Sequence, residues 1–291
     1  MGEEMNSSNK YEIDYEDLAI PEVHTGKAQP SGEEPEDPDI SYDTAIPEFH
    51  FKKKHKDDDD NFGTVYGVGV GPGDPELLTV KAIRVIKEAD VIAAPGRDPG
   101  DSIAYRIALR AVPEIKNKPV IHIDMPLKKD QKAMDDIHLK GALSIEKYLK
   151  QGRSVAYLTL GDSTVYSTFL YLVPFLENDG FKVRYVSGIS SYCAAAARLG
   201  VPLCREDQKL HIVPAAHDHE TDFNAPGNFV LMKSGRMIKD LRVKLKDCSK
   251  EILAVENCGL PGERVYSGIS DIPDDAGSLL VIMARDGSVK G

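Results

Sequence analysis

Between Thr64 and Leu199, short apolar runs alternate with stretches in which apolar residues recur every three or four positions, which predicts strands separated by helices. The predicted order starts with a strand through Tyr66–Val70 and a helix opening at Pro75-Glu76 that carries Leu77, Leu78, Ala82, Ile83, Val85 and Ile86. It continues with strand Asp90–Pro95, helix Ser102–Ala111, strand Pro119–Met125 and helix Asp130–Leu149, closed by Gln151-Gly152. Strand Ser154–Leu160, a helix over Val165–Leu176, strand Lys182–Val186 and helix Ser190–Leu199 complete the series. Such alternation predicts an α/β fold with a mostly parallel sheet covered on both faces.

After Pro202 the texture changes. Leu210–Val213, Phe229–Met232, Ile252–Val255, Arg264–Tyr266 and Leu279–Met283 read as strands, with one clear helix at Met237–Leu245. A second α/β domain with a mixed sheet is expected, giving domains at 62–204 and 205–291 and a boundary near Pro202–Lys209. A large ligand is expected in the cleft between the two.

Glycines at 67, 69, 71 and 73 alternate through the first strand and its turn, so that strand leaves its backbone open to a ligand or a neighbouring element. The spacing is not that of a dinucleotide site. A G-x-G-x-x-G pattern from Gly67 or Gly69 would need glycine where Pro72 or Asp74 stands, and no Gly-Lys-Ser/Thr follows. Asp74 and Glu76 would also repel a phosphate at the helix N-terminus. A ligand without a bound polyphosphate is therefore expected.

The net charge of −11 over 291 residues is unevenly spread. Residues 1–61 hold six lysines against eighteen acidic residues, so the remainder carries a net charge of about +1. A nearly neutral body argues against non-specific nucleic-acid binding. The acidic, Pro- and Ser-containing leader, 1–61, lacks periodicity and is expected to be largely disordered. Within it Asp17-Leu-Ala-Ile-Pro-Glu-Val-His24 recurs as Asp43-Thr-Ala-Ile-Pro-Glu-Phe-His50. The repeat is read either as a bivalent docking peptide for a protein partner or as a local duplication without function. No segment reads as a secretory signal or a membrane span. Cys193, Cys204, Cys248 and Cys258 are widely spaced without a C-x-x-C pair, as expected of reduced thiols in a cytoplasmic protein.

Three stretches carry a family resemblance: Gly67-Val-Gly-Val-Gly-Pro-Gly-Asp-Pro-Glu-Leu-Leu-Thr79, Leu158-Thr-Leu-Gly-Asp-Ser-Thr-Val-Tyr-Ser167, and Gly188-Ile-Ser-Ser-Tyr-Cys-Ala-Ala-Ala-Ala-Arg-Leu-Gly-Val-Pro-Leu203. In this order they resemble the signature stretches of the tetrapyrrole methylases. Ser102–Ile107, Asp124–Asp130 and Leu158–Asp162 look most like the precorrin-2 or cobalt-factor II C20-methyltransferases of corrin synthesis. The resemblance implies two α/β domains with the active site between them, a homodimer, S-adenosyl-L-methionine as methyl donor and a tetrapyrrole substrate rich in carboxylates. It places cofactor contacts on Pro72, Leu160, Gly161, Asp162, Val165, Ser190, Ser191 and Met232. Asp162 and Ser190 are also favoured helix N-caps, so a capping role stands beside the ligand role. Ser163 and Ser187 replace prolines of the family pattern, which predicts looser loops, and Cys258 stands where relatives have a glycine near the cofactor.

The sequence singles out no catalytic base. Asp124, Tyr105, Tyr166 and His122 are candidates, and structural roles compete for each. Arg97, Arg106 and Arg236, with Lys128, Lys129 and Lys233, are available to pair with substrate carboxylates, or serve as solvated surface charges. His217-Asp-His219 is weak metal-ligand spacing; no protein-bound metal is expected, and any cobalt would arrive inside the substrate. Two other functions remain open: methylation of another ring carbon or target, and a non-catalytic scaffold that docks through the repeats.

Overall fold

The computed structural model describes residues 62–98, 100–126, 131–215, 221–246 and 248–287. The leader and its repeats, Lys128, Lys129 and the His217-Asp-His219 stretch lie outside the described residues. The described residues form one compact unit, and within it the strands make two five-stranded sheets.

The first sheet holds β1 (Thr64–Gly69), β2 (Val91–Pro95), β3 (Val120–Ile123), β4 (Val155–Thr159) and β5 (Lys182–Val186) in the order β3-β2-β4-β1-β5. Every pairing is parallel. Parallel neighbours need a crossover, and the helices supply it. They are α1 (Val80–Glu88), α2 (Ile103–Ala111), α3 (Gln131–Leu149) and α4 (Val173–Asn178). The period-2 alternation of strand side chains sorts the core into two layers. On β4, Ala156 and Leu158 pack with α1 and α2, whereas Val155 and Tyr157 pack with α3 and α4. Both faces are thus covered, as the near-continuous apolar strands require.

The second sheet holds β6 (Leu210–Pro214), β7 (Asn228–Met232), β8 (Glu251–Glu256), β9 (Arg264–Tyr266) and β10 (Leu280–Arg285) in the order β6-β7-β10-β8-β9. The β6–β7 pair is parallel and the others antiparallel, so the sheet is mixed as expected. One face packs Phe229, Leu231 and Ile282 against α6 (Ile238–Lys246). The other packs Val230, Val255, Val281 and Met283 against Ala194, Ala195 and Ala196 of α5 (Ser191–Leu199). Helix α5 follows the last strand of the first sheet and covers the second, so it couples the two. Gly200, at φ +68°, ends it in the left-handed conformation.

Two predicted helices differ. Pro75–Leu77 is a short 3-10 turn, Leu78 is extended, and α1 starts only after Thr79, whose hydroxyl accepts from the Ala82 amide at 3.1 Å. The helix expected over Val165–Leu176 is instead a turn, a 3-10 segment at Thr168–Tyr171 and α4. Tyr166 at φ +48° breaks the helical path, and the Ser167 hydroxyl caps the 3-10 segment at the Phe169 amide.

Candidate active site

Because β4, β1 and β5 are adjacent and parallel, their carboxyl ends lie on one edge of the sheet, where ligands bind in open α/β folds. Each of these strands runs into one glycine-containing loop: Val70–Thr79 after β1, Leu160–Ser167 after β4 and Ser187–Ser190 after β5.

The loops meet through their main chains. Gly71 and Gly161 form an antiparallel bridge, with amide-to-carbonyl distances of 3.1 and 2.8 Å in the two directions. Both have positive φ, +76° and +73°, which glycine adopts at little cost. A Cβ on Gly69 would lie 2.6 Å from the Gly161 oxygen and 2.7 Å from the Gly188 nitrogen. One on Gly188 would lie 2.3 Å from the Gly161 oxygen. Gly67 serves the core instead, since its missing Cβ leaves room for the Phe169 ring. Gly73 does the same for the loop after β8, where a Cβ would sit 2.3 Å from the Cys258 carbonyl oxygen.

Side chains then lock the contact. The buried Asp162 carboxylate accepts from the Thr164 amide at 2.7 Å and hydroxyl at 2.5 Å through Oδ1, and from the Gly188 amide at 2.9 Å through Oδ2. No helix starts at Thr164, so Asp162 is a tie between the second and third loops and not a helix cap. The fully buried Ser163 donates its hydroxyl to the Val186 carbonyl at 3.1 Å, a bond that proline could not make. That bond fastens the second loop to the end of β5. Thr79 donates to the Ser187 carbonyl at 3.2 Å and so joins the first loop to the third.

Ser190 occupies the N-cap position of α5 but its hydroxyl makes no capping bond. The Ser191 amide stands 3.9 Å from where a Gly161 Cβ would be. The start of a nine-residue helix, with an uncommitted hydroxyl, therefore faces the second loop. First-turn amides and a free hydroxyl suit a ligand carboxylate. At the first loop, by contrast, Asp74 Oδ1 accepts from the Glu76 amide at 2.9 Å, and the carboxylate leaves that turn unfit for a phosphate. The pattern fits a ligand with a carboxylate and no phosphate. Pro72 is buried beside Gly71, while Leu160, Val165 and Met232 are half-buried.

A cavity of about 460 Å³ opens beside these loops, lined by residues 164–167, Leu170, Tyr171 and, from the second sheet, Ile212. Ile212 carried no sequence signal beyond an apolar strand position. Across the cleft Lys233, next after Met232, donates from Nζ to the Tyr166 carbonyl at 3.3 Å. Protein packed around that ammonium holds it below the usual lysine range, while the side chain stays accessible to water, as expected along a cleft wall. Burial pushes the Cys258 thiol up to about 11, with the neighbouring Glu263 carboxylate adding to it and Arg198 opposing, which keeps it protonated and unreactive.

The other expected site residues are less closely gathered. Arg97 and Asp124, at the ends of β2 and β3, pair with each other at 3.4 Å, and both are exposed. Arg106 on α2 donates to the Gly100 carbonyl at 2.7 Å, and Arg236 lies exposed after β7. Tyr105 is buried in the core layer under α2, where desolvation raises its phenol pKa. His122 is half-buried on β3 with an unpaired buried Nδ1. Of the four base candidates, Tyr166 is the one on the cavity wall. Among the described residues, no group of three or more His, Cys, Asp or Glu side chains is placed to hold a metal ion.

This architecture has known counterparts. The chain is 40% identical over 209 residues, 71% of its length and 88% of the relative's, to a probable cobalt-precorrin-2 C(20)-methyltransferase of Methanocaldococcus jannaschii. It is 30% identical to the cobalt-precorrin-2 C(20)-methyltransferase of Salmonella typhimurium, covering 73% of this chain and 91% of that one. Among solved structures, a cobalt precorrin-4 methyltransferase of cobalamin biosynthesis superposes with a TM-score of 0.59 at 19% identity, over 76% of this chain and 94% of that one. A Thermus thermophilus uroporphyrin-III C-methyltransferase complexed with S-adenosyl homocysteine gives 0.55 at 23% identity, over 77% of this chain and 98% of that one. At these identities the structural likeness is one of fold. The model of the Tetrapyrrole (Corrin/Porphyrin) Methylases matches residues 64–272, and the chain belongs to that family.

Proposed function

We propose that this protein methylates C20 of precorrin-2, or of its cobalt-containing counterpart cobalt-factor II, in the synthesis of the corrin ring. The convergence of three signature loops on one sheet edge carries this reading, together with the 40% identity to a probable C20-methyltransferase.

S-adenosyl-L-methionine supplies a methyl group already activated on a sulfonium, so the protein need not provide a strong nucleophile. Its task is to hold two reactants in line, which contributes roughly 7–11 kcal/mol in favourable cases. Pro72, Leu160, Gly161, Val165, Ser190, Ser191 and Met232 would hold the methyl donor. Asp162 would act mainly by fixing the loops, because both its oxygens are engaged within the protein. Tyr166 on the cavity wall is the best-placed group to receive the proton lost from the ring. Arg236 is exposed and without a salt bridge among the described residues, whereas Arg97 and Arg106 would have to leave Asp124 and Gly100 to bind substrate carboxylates. No resident metal belongs to this reading.

A homodimer in the cytoplasm completes the proposal. Leu139 and Leu143, one turn apart on α3, are exposed, as is Tyr171, which stacks on His138 of the same helix at 4.8 Å. Such a patch suits a second copy. No helix among the described residues is long and apolar enough to cross a membrane. The domain division at 62–204 and 205–291 is retained, with α5 of the first part packed on the second sheet. The leader repeats would bind a protein partner outside the catalytic cycle.

Incubating the purified chain with S-adenosyl-L-methionine and either form of the substrate tests the reading. A single methyl added at C20 of one of them is expected. Methylation confined to another carbon would reassign the enzyme within its family.

A further inference from the structure

Three non-glycine residues among those described have positive φ: Tyr166 at +48°, Lys233 at +57° and Asn257 at +54°. Large side chains in this region cost roughly 1–3 kcal/mol each, and such outliers gather where a site needs a fixed geometry. Two of the three touch each other across the cleft, since Lys233 Nζ donates to the Tyr166 carbonyl. Tyr166 in turn lines the cavity that Ile212 closes from the second sheet.

The bond leaves Lys233 with donors not spent on protein. An ammonium has three donors, and this one uses a single carbonyl at the long end of the hydrogen-bond range. Its side chain is exposed, protein packed around it holds its pKa below the usual lysine range, and no carboxylate of the described residues pairs with it. Arg97 and Arg106 differ, being engaged with the Asp124 carboxylate and the Gly100 carbonyl. An accessible cation with spare donors and no acidic partner, on a cleft wall, suits an anionic ligand.

We propose that Lys233 anchors a carboxylate of the tetrapyrrole at the mouth of the cavity, and that the Tyr166 carbonyl is where its ammonium rests until that carboxylate arrives. The left-handed turn at Lys233 aims the side chain back toward the loop after β4, and the matching turn at Tyr166 presents the carbonyl. The inference rests on the polycarboxylate substrate named above. It adds a specificity-determining residue from the second sheet, opposite the loops that would hold the methyl donor.

Equilibrium titration separates the two. The full chain, with S-adenosylhomocysteine present, is titrated with the cobalt-containing oxidised form of precorrin-2 and followed by its visible absorbance. Lys233→Met should weaken tetrapyrrole binding by about 10- to 100-fold, the range of a lost charge-assisted hydrogen bond. Lys233→Arg should stay within about threefold of wild type, because it keeps the charge. Calorimetric affinity for S-adenosylhomocysteine should change less than about twofold in both variants, which shows that the loops and the fold are intact. Unchanged tetrapyrrole binding by Lys233→Met, in an enzyme that methylates C20, overturns the anchor and leaves the function standing. Parallel loss of both ligands would make Lys233 a support for the Tyr166 loop and also overturns it. A wild-type chain that binds no tetrapyrrole removes both proposals.

Discussion

The Asp162 carboxylate accepts a hydrogen bond from the Gly188 amide at 2.9 Å, which ties the loop after β4 to the loop after β5. Its other oxygen holds Thr164, so one buried side chain fixes the second loop internally and against the third. Removing it leaves the partly buried Thr164 and Gly188 amides without that acceptor. Asp162→Ala should therefore cost about 2–4 kcal/mol of stability, and Asp162→Asn less, since the amide keeps one acceptor. Urea unfolding of the two variants measures this; a wild-type midpoint for Asp162→Ala would show that the tie carries no weight.

Gly188→Ala places a methyl group 2.3 Å from the Gly161 oxygen, against backbone that cannot swing aside. We expect a loss of about 1–3 kcal/mol with a sharp fall in S-adenosylhomocysteine affinity, as the loops are forced apart. Gly200→Ala is the control. It meets open space and suffers only its left-handed φ, so it should lose about 1 kcal/mol and keep its affinity.

Ser190 and Thr79 hold the same position at two helices with opposite use of the hydroxyl. Thr79→Ala removes a cap from α1 together with the bond to the Ser187 carbonyl and should destabilise by about 1–2 kcal/mol. Ser190→Ala removes no capping bond, so its stability should change by less than about 0.5 kcal/mol while donor affinity drops. Thermal melts paired with calorimetry distinguish the two, and intact affinity in Ser190→Ala would exclude its hydroxyl from the site.

Glu263 is held below the usual carboxylate range, chiefly by the Gly259 amide at 2.8 Å and then by Arg198 of α5. A lowered folded pKa means its contribution is complete above the ordinary glutamate value and is lost as pH falls through the folded value. The stability gap between wild type and Glu263→Gln should therefore be constant near neutrality and narrow in acid below about pH 4.5. A gap that widens in acid would reverse the sign of the coupling.

Much of this was legible in the chain. The strand and helix alternation and the glycine spacing at 67–73 pointed to the parallel sheet and to a ligand without phosphate, because both are local properties. The break at Tyr166 was not. Val165, Phe169, Leu172 and Leu176 have helical spacing, which a 3-10 segment followed by α4 satisfies equally well, so periodicity alone could not see the turn. Nor could it see that Asp162 is spent on Gly188, 26 residues away, or that Ile212 closes the cavity from another sheet. Such pairings depend on which strands become neighbours. Tyr105 shows the converse, a chemically capable group that the α2 stripe buries in the core.

The meeting of the loops at Gly69, Gly71, Gly161 and Gly188 has a practical consequence for mutagenesis. Where recognition is built largely from amides and carbonyls, trimming side chains other than Asp162 and Ser190 to alanine removes little of it, and a conventional scan of exposed polar residues would pass over most of the site. Its weak points are instead changes in loop length or the addition of a single carbon atom. Variation among relatives should accordingly be strict in the number of residues that form these loops and at the glycines where they meet.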